Sequence, residues 1–217
     1  MENQKSAFWH AFVITVFIFL IGVSLGIVLE NLRTEKISDL YQQSELDLLD
    51  IKLQSEIYSL EKFNCKNAVE ENIIFADRIF KEAKKLERYE SAARLTDNIK
   101  IQHKKYDLLR TDLFLNSLKI KQKCGDGYNE IVYFYQYINP SIETKAKQEI
   151  VSKVLEELKN KKGDEMLLIP ISGDNDISAV KLLMKEYNIE KLPTILINRK
   201  TKITDIKNAD EISKYFK

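Results

Sequence analysis

The residues of this chain best suited to chemistry are its two cysteines, Cys65 and Cys124. A thiol pair can close a structural disulfide, cycle as a redox couple, or contribute to a metal site. Metal binding is the weakest of these. Two cysteines and two histidines, His10 and His103, are too few and too widely spaced for zinc, so no metal ligand is expected. Neither cysteine has a second one at a Cys-x-x-Cys spacing. Ser141 has no histidine or acid nearby in sequence to activate its hydroxyl, and it suits the N-cap of a following helix, with Glu143 or Thr144 in support. Gly173-Asp174-Asn175-Asp176 is acidic, yet one Asp-x-Asp falls far short of a calcium loop. Capping of the next helix by Asp174 or Asn175 explains it more simply. With no Ser-His-Asp, metal or phosphate-loop constellation, neither a catalytic residue nor a cofactor is expected.

The elements around the cysteines are helical. From Asn31 to Lys123 there is neither proline nor glycine, a gap in breakers that implies long helices. Leu46, Leu49, Leu53, Ile57 and Leu60 recur at three- and four-residue steps and predict an amphipathic helix. Ile73, Ile74, Asp77 and Phe80 begin a second pattern; Leu95, Ile99, Tyr106, Leu109, Leu113 and Ile120 form a third. Breaks are expected at 63–67 and 88–91, with Asn67 and Ser91 as caps. Three pieces follow, about 31–62, 67–88 and 92–122. Short connections make them antiparallel, which brings Cys65 and Cys124 to one end. A disulfide there would stabilise the chain by about 4 kcal/mol in the chain-entropy picture. The alternative is two unpaired cysteines acting as small hydrophobes. A charged coiled coil is less well supported, because no heptad is sustained.

Residues 7–29 contain no Asp, Glu, Lys or Arg. Such a run is long enough to cross a bilayer, which needs ~20 apolar residues. A cleaved signal peptide is the rival reading, with Ser24 and Gly26 as small residues at a cleavage-like spacing. The run outlasts a signal core of ~7–15 residues and continues through Ile27-Val28-Leu29, which favours an uncleaved signal-anchor. Lys5 on one side and Arg33 and Lys36 on the other leave orientation near a tie. A disulfide would break it, because such bonds persist outside the cytosol. The expected arrangement is therefore N-terminus cytoplasmic and body extracytoplasmic. Gly22 and Gly26 form a GxxxG spacing that would let two membrane helices approach, so a homodimer is one expected partner. The charge balance, 34 Lys and Arg against 33 Asp and Glu, gives nucleic-acid binding little support.

Gly125-Asp126-Gly127 marks a boundary, and beyond it the pattern turns to alternating strands and helices. Strands are expected at 130–136, 165–172, 194–198 and 203–207. Helices are expected at 142–158, 174–187 and 209–216. The fold class is then α+β overall: a membrane helix (7–29), a three-helix antiparallel stalk (31–124) and a C-terminal α/β domain (128–217) of order βαβαββα.

This last domain resembles the thioredoxin-like family. An apolar run, Ile131 to Tyr135, leads into Tyr137-Ile138-Asn139-Pro140-Ser141, the place of that family's Trp-Cys-Gly-Pro-Cys. Tyr187-x-Ile189 followed by Leu192-Pro193-Thr194 is similar to its Tyr-x-Ile/Val-x-x-x-Pro-Thr strand entry. The resemblance covers under half of the chain. It implies a cis Pro193 beside the 137–141 turn and an edge formed by Tyr137, Ile138, Pro140, Leu192, Pro193 and Thr194, where an extended peptide could pair. Ile138 and Ser141 replace both thiols, so redox activity at that turn is not expected. The expected function is a single-pass membrane protein presenting a redox-inactive thioredoxin-like domain to a protein partner. The alternative is an envelope thiol-disulfide accessory using Cys65 and Cys124.

Overall fold

The computed structural model describes residues 2–92, 97–206 and 208–216. Its elements are α1 (Glu2–Ser59), α2 (Cys65–Ala92), α3 (Asp97–Cys124), β1 (Asn129–Tyr135), α4 (Ile142–Lys162), β2 (Met166–Ser172), α5 (Ser178–Glu186), β3 (Thr194–Ile197), β4 (Thr201–Ile203) and α6 (Ala209–Ser213). They form two compact units, residues 1–43 and 44–217.

The first unit is helical. Its stretch Phe8–Asn31 has a mean hydropathy of 2.9 and no buried residue. By length and composition this helix can cross a membrane. Nothing stands within 4 Å of the space a side chain would fill at Gly22 or Gly26.

The second unit is built on a four-stranded mixed sheet of order β2-β1-β3-β4. β1 runs parallel to β2 and antiparallel to β3, and β3 is antiparallel to β4. Alternation along the strands separates two cores. Val132, Phe134, Leu167, Ile169, Ile171 and Leu196 join Ile73, Phe75, Ile79, Tyr106, Leu109, Leu113 and Phe114 of α2 and α3, with Val180 and Leu183 of α5. Ile131, Tyr133, Ile195 and Ile197 meet Val151, Leu155 and Leu158 of α4 and Ile212 of α6 on the opposite face. The order βαβαββα is present, with ends shifted by a few residues. The sequence reading separated residues 31–124 from 128–217 as a stalk. Instead, α2 and α3 lie on the sheet and share its core, because their apolar faces need a partner and β1 and β2 supply one.

Several local expectations are corrected. Asn64, not Asn67, caps α2: its side chain accepts from the Asn67 N–H at 3.1 Å. Ser91 lies inside α2 rather than capping α3, and Leu95 falls outside the described residues. The apolar stripe of α1 does not face inward. Ser44, Asp47, Ile51 and Tyr58 are the buried positions, and Leu46, Leu49, Leu53, Ile57 and Leu60 are exposed. The inward face is selected by α2 and α3. Asn116 donates to the Ile51 carbonyl (3.3 Å), Gln102 to Ser44 (3.0 Å), and Arg78 pairs with Asp47 (3.1 Å). Lys119 donates to the Ser55 carbonyl (3.1 Å), and Lys123 to the carbonyls of Tyr58 (3.0 Å) and Leu60.

Candidate functional site

Cys65 opens α2 and Cys124 closes α3, and the two are joined in a disulfide across 59 residues with Cα atoms 5.5 Å apart. Antiparallel packing of α2 and α3 produces this juxtaposition. Tyr58, Ala68 and Ile120 are buried beside it, with Phe63 and Val69 packed against them. The bond is therefore set among apolar groups of three helices.

The turn from β1 into α4 is held by α4, by the loop after β2 and by α3. Ser141 caps α4 as expected, its hydroxyl oxygen accepting from the Thr144 N–H at 3.1 Å. Gln148 on α4 both accepts from the Gln136 N–H (2.7 Å) and donates to its carbonyl (3.0 Å). Asp174 does not cap α5, whose N-cap is Ile177. Its carboxylate instead takes the N–H groups of Tyr137 (2.7 Å) and Ile138 (2.8 Å), and the Ser172 hydroxyl (3.0 Å). From α3, the His103 ring stacks on Tyr137 with centroids 3.6 Å apart and 17° between planes. The same ring shares a hydrogen bond with the Tyr135 hydroxyl at 2.8 Å.

Asp107, one helical turn past His103, ties this cluster to the core. It is fully buried and accepts from the Ser172 N–H and the Asn175 side chain at 3.0 Å each, with Arg110 at 3.5 Å. Burial pushes its carboxyl above the usual carboxylate range, while His103, Arg110 and the two hydrogen bonds act in the opposite sense. Asn175 is thus spent on Asp107 rather than on a helix cap. Neither His103 nor Asp107 was singled out from sequence. Their i, i+4 spacing was the available signal, on a helix that also buries Gln102, Arg110 and Thr111.

Leu192-Pro193 is a cis peptide, as the resemblance implied. Thr194 pairs with Phe134 on β1, and its hydroxyl donates to the Lys191 carbonyl at 2.6 Å. Gly173 joins the two segments. Its N–H donates to the Tyr135 carbonyl (2.8 Å), and a Cβ there would meet the Leu192 methyl groups at 2.9 Å. The loop 172–175 therefore touches both the 137–141 turn and the 192–194 entry. Of the six expected edge residues, Ile138 is exposed, Tyr137, Pro140 and Leu192 are half-buried, and Pro193 and Thr194 are buried. The exposed part of that edge is thus concentrated at Ile138.

A second polar cluster lies under β1. Asn72 donates to the Tyr128 hydroxyl (3.1 Å), which donates to Ser117 (2.9 Å), and Ser117 donates to the Glu130 carboxylate. Burial raises the Glu130 carboxyl, opposed by Ser117, Lys121 and Arg199. Tyr128 is pushed up to about 12, mainly by burial.

No family model and no curated protein matches this chain. Among solved structures, a malarial protein aligns with 42% of this chain and 99% of its own, at 16% identity and a TM-score of 0.32. Thioredoxin O2 from Arabidopsis thaliana, in its oxidised state, aligns with 49% of this chain and 90% of its own, at 18% identity and a TM-score of 0.35. Both are weak likenesses of part of the chain. The description of the fold rests on the strand order and register.

Proposed function

We propose that this protein is a single-pass, membrane-anchored binding protein. Its C-terminal part is a thioredoxin-like domain without thiol chemistry at the β1–α4 turn, held on the extracytoplasmic face to engage another protein. The observation that carries this reading is the turn itself. Ile138 and Ser141 occupy the thiol positions, Ser141 is used as a helix cap, and Asp174 takes the two amides of Tyr137 and Ile138. A turn committed in this way offers a fixed surface around Ile138. The strand order supports the domain reading, the apolar stretch Phe8–Asn31 supports the anchor, and the disulfide supports an oxidising compartment.

The test uses the full chain in lipid nanodiscs, poised against glutathione buffers. The Cys65–Cys124 pair is expected to stay oxidised down to about −300 mV, with no acceleration of insulin reduction by dithiothreitol. A midpoint near −120 to −200 mV with turnover would replace this reading with the thiol-disulfide accessory. Protease added outside sealed vesicles is expected to remove the body. Complete protection would overturn the orientation.

A further inference from the structure

β2 is an outer strand of the sheet, paired with β1 on one side only. The Gly173 N–H donates to the Tyr135 carbonyl, which fixes the phase of that pairing. Residues 167, 169 and 171 therefore turn their backbone groups toward β1, and residues 166, 168, 170 and 172 turn theirs outward. A row of outward backbone groups is a template for another strand. Met166 to Ser172 carries no charged residue, so two copies of this strand can meet without repulsion.

That row is guarded at both ends. The Met166 N–H is taken by the Gly163 carbonyl, and the Met166 carbonyl accepts from the Lys159 ammonium at 3.0 Å. At the far end the Ser172 N–H donates to buried Asp107 at 3.0 Å. Pro170 has no N–H to offer. Between these guards, no described residue partners the Leu168 N–H and C=O or the Pro170 C=O.

The gap lies under a bridge between the two helix layers. α2 packs on one face of the sheet and α4 on the other. Two ion pairs nevertheless join them, Asp77 with Lys159 (3.4 Å) and Lys84 with Glu156. Helices on opposite faces can meet only around an edge. Lys159 shows which edge, because the same ammonium bonds the Met166 carbonyl. Glu156 lies three residues, about 4.5 Å, back along α4, which carries the second pair from Met166 toward Leu168. Half-exposed pairs of this kind add little to stability. Their effect here is to fill the space that an added strand would need.

We propose that the Asp77–Lys159 and Lys84–Glu156 pairs form a strap that holds the β2 edge closed. Its release lets β2 of a second copy pair there, antiparallel about a two-fold axis at Leu168. In that register the two Leu168 residues exchange N–H···O=C bonds, and each Pro170 carbonyl faces Met166 of the other copy. The strap is separate from the β1–α4 turn, and its role stands whether or not the turn binds anything.

The full chain in detergent micelles is followed by sedimentation equilibrium beside Asp77→Ala with Lys84→Ala, which opens both bridges and leaves the net charge unaltered. The double variant is expected to self-associate at least about tenfold more tightly than wild type. Adding Leu168→Pro, which removes the outward N–H, is expected to return association to the wild-type level, with circular-dichroism melting to confirm the fold. A double variant no more associated than wild type would overturn the proposal. So would association that survives Leu168→Pro, because it would place the contact on another surface. Deuterium exchange of wild type needs no variant to fold. The Leu168 amide is expected to exchange at least about threefold faster in ~1 M salt than in ~0.05 M, with Ile169 unchanged. Equal Leu168 rates at the two salt concentrations would also overturn the strap.

Discussion

Two junctions of this molecule solve the same problem by different means. Where α1 gives way to α2, the chain is fixed by the Cys65–Cys124 bond, with apolar side chains around it. Where β1 gives way to α4, it is fixed by Asp174, Asp107, His103 and Gln148, with no covalent link. The first constrains the unfolded chain and acts over a long loop. The second acts only in the folded state, through hydrogen bonds whose worth depends on each being satisfied. A resemblance that places thiols at the second junction therefore meets a molecule that keeps them at the first.

The comparison is sharpest at the disulfide. Cys65→Ser is expected to cost about 4 kcal/mol in urea unfolding. A loss below about 1 kcal/mol would mean that the reduced, unfolded chain already holds the two ends near each other. Asp107→Ala should cost about 3 kcal/mol, because it strands the Ser172 N–H, Asn175 and Arg110 in the interior. Asp174→Ala should cost about 2 kcal/mol and raise hydrogen exchange at the Tyr137 and Ile138 amides first. Uniform loss of protection would instead make the turn part of the global core. Ser141→Ala should cost about 1 kcal/mol, confined to the first turn of α4. The smallest effect is a pH dependence. Because Glu130 holds its proton more tightly when folded, its penalty is absent in acid and develops as pH rises above the ordinary carboxylate value. Urea melts of Glu130→Gln and wild type, compared from pH ~4 to ~7, should show the balance moving toward the variant as pH rises.

Much of this was legible in the sequence for identifiable reasons. With only two cysteines and a long stretch free of breakers, up-down packing left one economical pairing. Apolar, β-branched and aromatic runs placed β1, β2 and β3, and Ile99, Tyr106, Leu109, Leu113 and Ile120 were read correctly as one inward face. The stripe of α1 was misread because a helix can carry apolar groups on two faces. Periodicity found Leu46 through Leu60, but the face that packs is fixed by what α2 and α3 present: Asn116, Gln102, Arg78 and their neighbours, all distant in sequence. The turn suffered in the same way. Asp174 looked like a local cap, and nothing near Tyr137 announced that a carboxylate 37 residues away would hold it.

Lys119 and Lys123 reach from α3 to the Ser55, Tyr58 and Leu60 carbonyls; the Ser55 carbonyl also accepts from Ser59, whereas the end of a helix otherwise leaves carbonyls such as that of Tyr58 without helical partners. Those ammonium groups also oppose the negative pole of α1. The last turn of α1 is thereby held by its neighbour as well as by its own Ser59 hydroxyl and Leu60 N–H. A helix finished from outside cannot fray independently of the helix that finishes it. The amides of residues 51–59 should then exchange with deuterium in step with those of the last turns of α3, as one cooperative opening unit.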